Sequence, residues 1–143
     1  MKAVDTNVLV YAHRREASEH DVARQLVATL AEGPNRWAIP WPCLYEFFSV
    51  VTNRRIWGDG ATPPERGWAQ IHAWADSPSV VLLSEPPGFH QLLESFLTRP
   101  RVPGPIVHDA RVAALCVAYG VDVLISRHRD FQVFPELRLE NPF

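Results

Sequence analysis

Several features that would assign a chain quickly are missing here. Of the 143 residues, two are cysteine and one is lysine. Cys43 and Cys116 lie far apart inside apolar segments, where free thiols behave as small hydrophobes. The six histidines form no His-x-x-x-His pair and no Cys-x-x-Cys occurs, which argues against a zinc site. Neither Gly-x-x-x-x-Gly-Lys-Ser/Thr nor Gly-x-Ser-x-Gly is present, which argues against a P-loop NTPase and an α/β-hydrolase. No apolar run reaches the roughly 18 residues needed to cross a bilayer. Asp5 and Asn7 also interrupt the basic-then-apolar order of a signal peptide, so the expected location is the cytoplasm, with no membrane partner. Net charge is −2 and the pI about 6.3, without the overall basic bias that marks many nucleic-acid binders.

What is there begins with arginine: thirteen against a single lysine. Codon bias explains much of that ratio, yet the guanidinium fork suits phosphate. Arg14-Arg15, Arg54-Arg55, Arg99, Arg101, Arg127 and Arg129 are positioned in sequence to ring a site, with Arg14, Arg54 and Arg127 the candidate contacts to a phosphate-bearing ligand. A hydrophobic content of 47% supplies a core, and a chain of this length buries roughly two-thirds of its unfolded surface. No repeat, low-complexity tract or linker divides it, so residues 1–143 are expected to form one domain.

Patterning predicts strands alternating with helices. The first strand, Ala3 to Val4, leads through Asp5-Thr6-Asn7 to a short helix ending at His13. A helix over Glu19–Glu32 is expected to turn Val22, Leu26, Val27 and Leu30 inward and to stop at Gly33-Pro34. Arg36 to Ile39 reads as a strand, and Pro42 opens a helix carrying Leu44, Glu46, Phe47, Phe48 and Val51. Gly58 to Gly60 and Pro63-Pro64 read as loop. A helix over Glu65–Asp76 is expected to bury Trp68, Ile71 and Ala75. Val80 to Leu83 is wholly apolar, as a strand covered on both faces should be. Helices over Phe89–Thr98 and Ile106–Tyr119, a strand over Val121–Ile125 and a short strand over Leu137–Leu139 complete the series. Such alternation gives an α/β fold with a mainly parallel sheet of four to five strands.

Asp, Thr and Asn at a helix start are ordinary caps, so Asp5, Thr6 and Asn7 alone decide nothing. The topology adds distant partners. Helices run antiparallel to strands, which places helix first turns at the strands' carboxyl edge, where ligands of open α/β sheets bind. Asp5 ends the first strand, Glu46 lies near the start of the helix after the second, and Asp109 opens the helix feeding Val121–Ile125. His128 and Asp130 follow that strand. Each acid has a bland role as a cap or solvated side chain. Gathered on one rim they repel unless a cation joins them. All-oxygen donors suit Mg²⁺ or Mn²⁺, and such ions lower the pKa of a bound water and stabilise a phosphodiester under in-line attack.

At this point the pattern resembles the PIN-domain ribonucleases, in particular the VapC toxins of bacterial toxin–antitoxin systems. The resemblance rests on Val4-Asp-Thr-Asn-Val-Leu9, Leu44-Tyr-Glu-Phe-Phe48, Val107-His-Asp-Ala-Arg-Val-Ala-Ala-Leu115, Gly120-Val-Asp-Val-Leu-Ile-Ser126, Arg129-Asp-Phe131 with Phe134-Pro135, and Leu139-Glu-Asn-Pro142, nearly the whole chain. It implies a PIN-like three-layer α/β/α domain in which Asp5, Glu46 and Asp109 hold Mg²⁺ or Mn²⁺ and RNA is cut. Thr6, Asn7 and Ser126 match positions that shape that site. A homodimer and a small VapB-like antitoxin, its C-terminal segment in the acidic groove, are implied as well. One position departs from the family pattern: His128 stands where a fourth acid belongs. Three alternatives follow: His128 acts as a neutral ligand or phosphate donor, Asp130 takes over as a catalytic acid, or the protein is a weakened or inactive RNA-binding or antitoxin-binding module. A phosphatase with Asp5 as nucleophile is disfavoured, because Asn7 occupies the place of its second acid.

Overall fold

The computed structural model describes residues 1–143. Five strands form one sheet: β1 (Lys2–Val4), β2 (Trp37–Pro40), β3 (Val80–Leu83), β4 (Val123–Ile125) and β5 (Arg138–Glu140). Their order is β3-β2-β1-β4-β5 and every pairing is parallel. Parallel neighbours need long crossovers, supplied here mainly by α1 (Thr6–His13), α2 (His20–Glu32), α3 (Trp41–Val51), α4 (Arg54–Trp57), α5 (Pro64–Ala75), α6 (Phe89–Leu97) and α7 (Val107–Ala118). No helix is long and apolar enough to cross a membrane.

Helices cover both faces of the sheet. Successive strand residues point to opposite faces, yet Ala3, Val4, Trp37, Ala38, Ile39, Leu124 and Ile125 are all at 0% exposure. A contiguous core of 32 buried residues results, and the fold is a three-layer α/β/α sandwich. The chain leaves β1 towards β2 and β3, then returns across the sheet to place β4 on the other side of β1. The strand order therefore reverses between β1 and β4. Ligands of open α/β sheets bind in the crevice outside such a reversal.

Local chemistry accounts for the element ends. Pro42 sits in the first turn of α3, where its missing N–H costs nothing. Gly120, at φ +67°, takes the left-handed conformation that closes α7.

Four expectations need correction. β3 is an edge strand with only Leu83 fully buried, because nothing pairs beyond it and an apolar run alone cannot tell an edge from a centre. Trp68 is 44% exposed while Trp74 is buried. The face of α5 that meets the core carries Gly67, Ile71 and Trp74, and Trp74 packs edge-on to Phe47. Val22 is also exposed, and Ala23 takes its inward place on α2 with Val27. Arg54–Trp57, for which no helix was expected, is a single helical turn capped by the Asn53 side chain, which accepts from the Arg55 N–H at 2.9 Å.

A candidate active site at the carboxyl edge of the sheet

The site starts where β1 ends. The ladder continues one residue past Val4, with the Asp5 N–H donating to Ile125 O at 3.1 Å. Asp5 thus comes to lie beside Ser126, the first residue after β4, directly across the reversal point. Both are buried, at 6% and 0% exposure.

The Asp5 carboxylate is held from several sides. Oδ1 accepts the Thr6 N–H at 2.7 Å, and the Cys43 thiol lies 3.6 Å away. Oδ2 accepts the Ser126 hydroxyl and the Asn7 amide, both at 2.6 Å. Asp5 is therefore the N-cap of α1 and a buried acid at once, and the two roles expected to compete coincide. Thr6 and Asn7 lie inside the helix and do not cap it. Ser126 Oγ also accepts from Asn7 Nδ2 at 2.9 Å and from the His128 N–H at 2.9 Å. One hydroxyl thereby joins β1, α1 and the turn after β4.

Glu46 sits near the start of α3, on its second turn, since α3 begins at Trp41. It reaches the site through Thr6, whose hydroxyl donates to Glu46 Oε2 at 2.6 Å. Asp109 lies in the first turn of α7, as the topology predicted. Asp5, Glu46 and Asp109 line one groove of about 420 Å³, together with Thr6, Asn7, Arg127 and His128. Val10, Tyr11 and Val50 complete its walls. The sequence reading did not select these three as groove residues, although Val10 and Tyr11 follow Asn7, and Val50 follows Glu46, at helical three- and four-residue spacing.

His128 bridges the remaining acids. Its Nδ1 is 3.7 Å from Asp109 Oδ1 and its Nε2 is 3.4 Å from Asp130 Oδ2. The trio whose ligand atoms all lie within 4.8 Å of one another is Asp109, His128 and Asp130. Asp5 and Glu46 instead turn their oxygens to hydrogen-bond donors. His128 thus lies between Asp109 and Asp130 at the edge of the groove.

Burial and the crowding of carboxylates both act on the acids of the groove. Burial pushes the Asp5 carboxyl above the usual carboxylate range against its hydrogen bonds, with Glu46 adding to the rise. Burial raises Asp109 too, opposed by His128 and reinforced by Asp5, Asp130 and Glu46. Mutual repulsion among carboxylates in one groove is what a hard cation relieves. Carboxylate oxygens with one imidazole nitrogen suit a divalent cation.

The arginines divide differently from the sequence expectation. Arg127 lines the groove, paired with Glu19 and 3.5 Å from the Tyr11 hydroxyl. Arg14 does not. Its buried guanidinium lies 3.9 Å over Trp57, pairs with Glu16 and donates to Gly60 O at 2.9 Å. Fixing the 58–60 turn uses the charge that was expected to meet RNA. Arg54 is exposed and pairs with Asp59 at 2.7 Å, outside the groove.

A parallel α/β/α sheet with carboxylates collected outside its reversal point defines a class, the three-layer domains with an acidic groove at the carboxyl edge. The PIN domain family model matches residues 2–137, and the chain belongs to that family. Similar proteins include ribonuclease VapC43 of Mycobacterium tuberculosis, 32% identical over 99% of this chain and 95% of that protein. Ribonuclease VapC48 of the same organism is 30% identical over 97% of this chain and 95% of that protein. Among solved structures, the VapBC2 complex of Rickettsia felis bound to a promoter DNA fragment aligns at a TM-score of 0.69 and 19% identity. That match covers 98% of this chain and 97% of that one. VapC20 of M. tuberculosis, titled a sarcin–ricin loop cleaving toxin, aligns at 0.68 and 16% identity, covering 94% and 95%. At those identities the structural likeness carries the fold.

Proposed function

We propose that this chain is a metal-dependent endoribonuclease, the toxin of a toxin–antitoxin pair. The observation that carries the reading is the convergence of Asp5, Glu46 and Asp109 on one groove at the sheet's reversal point. Names of the similar proteins, VapC ribonucleases, support it. Asp5, Glu46 and Asp109 would hold Mg²⁺ or Mn²⁺. When bound, the cation supplies an acidified water and neutralises charge building on the phosphodiester.

The remaining roles belong to the chain itself. Ser126, Asn7 and the Thr6 N–H fix the Asp5 carboxylate, and Thr6 fixes Glu46. Fixed oxygens pay their ordering cost at folding and leave little to reorganise when substrate arrives. Arg127 offers a guanidinium to a substrate phosphate once its pairing with Glu19 loosens. His128 stands between Asp109 and Asp130, where an aspartate would add a further negative charge. No side chain need act as nucleophile.

RNA loss on adding Mg²⁺ or Mn²⁺ to the wild-type protein, absent with Asp5→Asn, is the expected result. Equal loss with both proteins would trace to contamination and sink the enzyme reading. Binding of RNA without cleavage would favour the second reading, a non-catalytic module, which His128 at the fourth-acid corner motivates.

Arg127→Ala is expected to lower the log–log salt slope of RNA binding by about 0.7, one phosphate contact on a single strand. Arg54→Ala leaves that slope unchanged. Anisotropy titrations across a salt series check both.

The partner proposed is a small VapB-like antitoxin with an arginine-bearing tail entering the acidic groove. The similar Rickettsia felis structure is a VapBC2 complex. A cytoplasmic homodimer built from one domain over residues 1–143 completes the reading. Light scattering tests the dimer, and co-purification with the product of a short neighbouring reading frame tests the antitoxin.

A further inference from the structure

A second groove of about 430 Å³ shares the three acids with the first and is otherwise lined by different residues. Asp5, Glu46 and Asp109 line both. The second runs between α3, which contributes Pro42, Tyr45, Glu46 and Ser49, and the first turns of α7, which contribute His108, Asp109, Arg111 and Val112. Pro42, Tyr45, Glu46 and Ser49 recur at three- and four-residue spacing, so they form one stripe of the helix. The core takes another stripe, Cys43, Leu44, Phe47 and Val51.

Tyr45 is the anomaly in that outward stripe. It is 55% exposed, an aromatic ring left in water beside a carboxylate cluster. Its position is nonetheless set, because the ring stacks on Trp41 one turn earlier, with centroids 5.6 Å apart and planes at 27°. Tyr11 in the first groove differs: its ring meets Phe143 edge-on at 5.2 Å, and its hydroxyl faces Arg127. Only Tyr45 of the two presents a prearranged face without a partner beyond it.

We infer that the second groove seats the nucleotide on one side of the scissile phosphate, with its base stacked on Tyr45. The inference rests on the nuclease reading above and names where the RNA strand runs. A phosphodiester held at the shared acids has a nucleotide on each side, and two differently lined grooves meet at those acids. Single-stranded RNA exposes its base faces, and base–aromatic stacking tolerates any base because each has a π-face. Tyr45 therefore adds affinity without adding sequence preference. Trp41 behind it holds the platform in place before the RNA arrives.

The test uses poly(U) and poly(A) in Mn²⁺, with Tyr45→Ala and Tyr45→Phe. Tyr45→Ala is expected to raise KM on both polymers by on the order of tenfold, with kcat little changed. Tyr45→Phe keeps the ring and stays close to wild type on both. Anisotropy with the same polymers, on an Asp109→Asn background, reads the stack without catalysis. Absence of cleavage by the wild-type protein therefore strikes the nuclease reading separately from this one. Thermal melts guard against unfolding as the cause, and an unchanged melting temperature is expected for so exposed a ring. Equal KM and equal binding for Tyr45→Ala and wild type would overturn the inference. So would loss of a homodimer by Tyr45→Ala with RNA binding intact, which would assign this face to a second copy of the chain.

Discussion

Asp109→Asn loses RNA cleavage by at least roughly 100- to 1,000-fold, the cost of deleting one electrostatic contact to a transition state, while the metal-free protein becomes more stable at neutral pH. The two effects have one cause. Asp109 opens α7 and faces the groove that also holds Asp5 and Glu46. Burial and the repulsion of Asp5, Asp130 and Glu46 raise its pKa against the opposing pull of His128. Ionised Asp109 is thus a net cost to the folded chain when no cation is bound, and asparagine of nearly the same shape removes that cost.

The sign with pH follows from linkage. An acid whose pKa is higher in the folded state binds more protons folded than unfolded across the interval between its two pKa values. Stability from that group then falls as pH rises through the interval. The melting-temperature advantage of Asp109→Asn is therefore present at neutral pH and shrinks as pH falls into the carboxylate range. Glu16, Glu19, Asp122 and Glu136 have lowered values instead. Both proteins carry them, so they cancel in the difference. Paired thermal melts across pH, with and without Mn²⁺, measure all of this. An Asp109→Asn protein that melts lower than wild type without metal at neutral pH would refute the electrostatic account. Stabilisation of that variant by Mn²⁺ to the wild-type extent would remove Asp109 from the cation's ligands.

Ser126→Ala lowers stability by about 1–3 kcal/mol and cleavage by roughly 10- to 100-fold, although Ser126 need never touch the cation. Its hydroxyl donates to Asp5 Oδ2 and accepts from Asn7 and from the His128 N–H. The residue has no exposure, so water cannot replace these bonds cheaply. Alanine leaves Asp5 Oδ2 with the Asn7 amide alone and frees the turn that carries His128. Threonine keeps the hydroxyl but adds a methyl group in a closed space, so partial rescue by Ser126→Thr is expected. Chemical denaturation gives the stability term, and a Mn²⁺ titration of cleavage gives the affinity term. Ser126→Ala with wild-type Mn²⁺ dependence would show that the serine merely fills space.

Much of this arrangement was legible in the chain. Asp5, Glu46 and Asp109 each follow from an apolar strand or helix start that fixes which rim the acid occupies. Other features depended on neighbours. Trp68 and Trp74 occupy one helix, and nothing local says which ring meets Phe47. Val80 to Leu83 is as apolar as a central strand, yet only the sheet order makes it an edge. Arg14 and Arg127 are the same residue type, and nothing local to either says which will face the groove. Arg14 is held over Trp57 by a turn more than forty residues away, while Arg127 faces the groove.

By itself the sequence determined the alternation of strands and helices, the rim on which the acids sit and the histidine at the fourth corner. Those properties are local: hydrophobic period, caps and breakers act within a few residues. Tertiary structure decided the rest. It brought Ser126 across the reversal point to Asp5, turned Thr6 from a presumed cap into a tether for Glu46, and set His128 between Asp109 and Asp130. It also left Tyr45 facing solvent on a stripe beside the acids. Hydrogen bonds and burial between residues 40 to 121 positions apart depend on how strands are ordered, and no window along the chain contains that order.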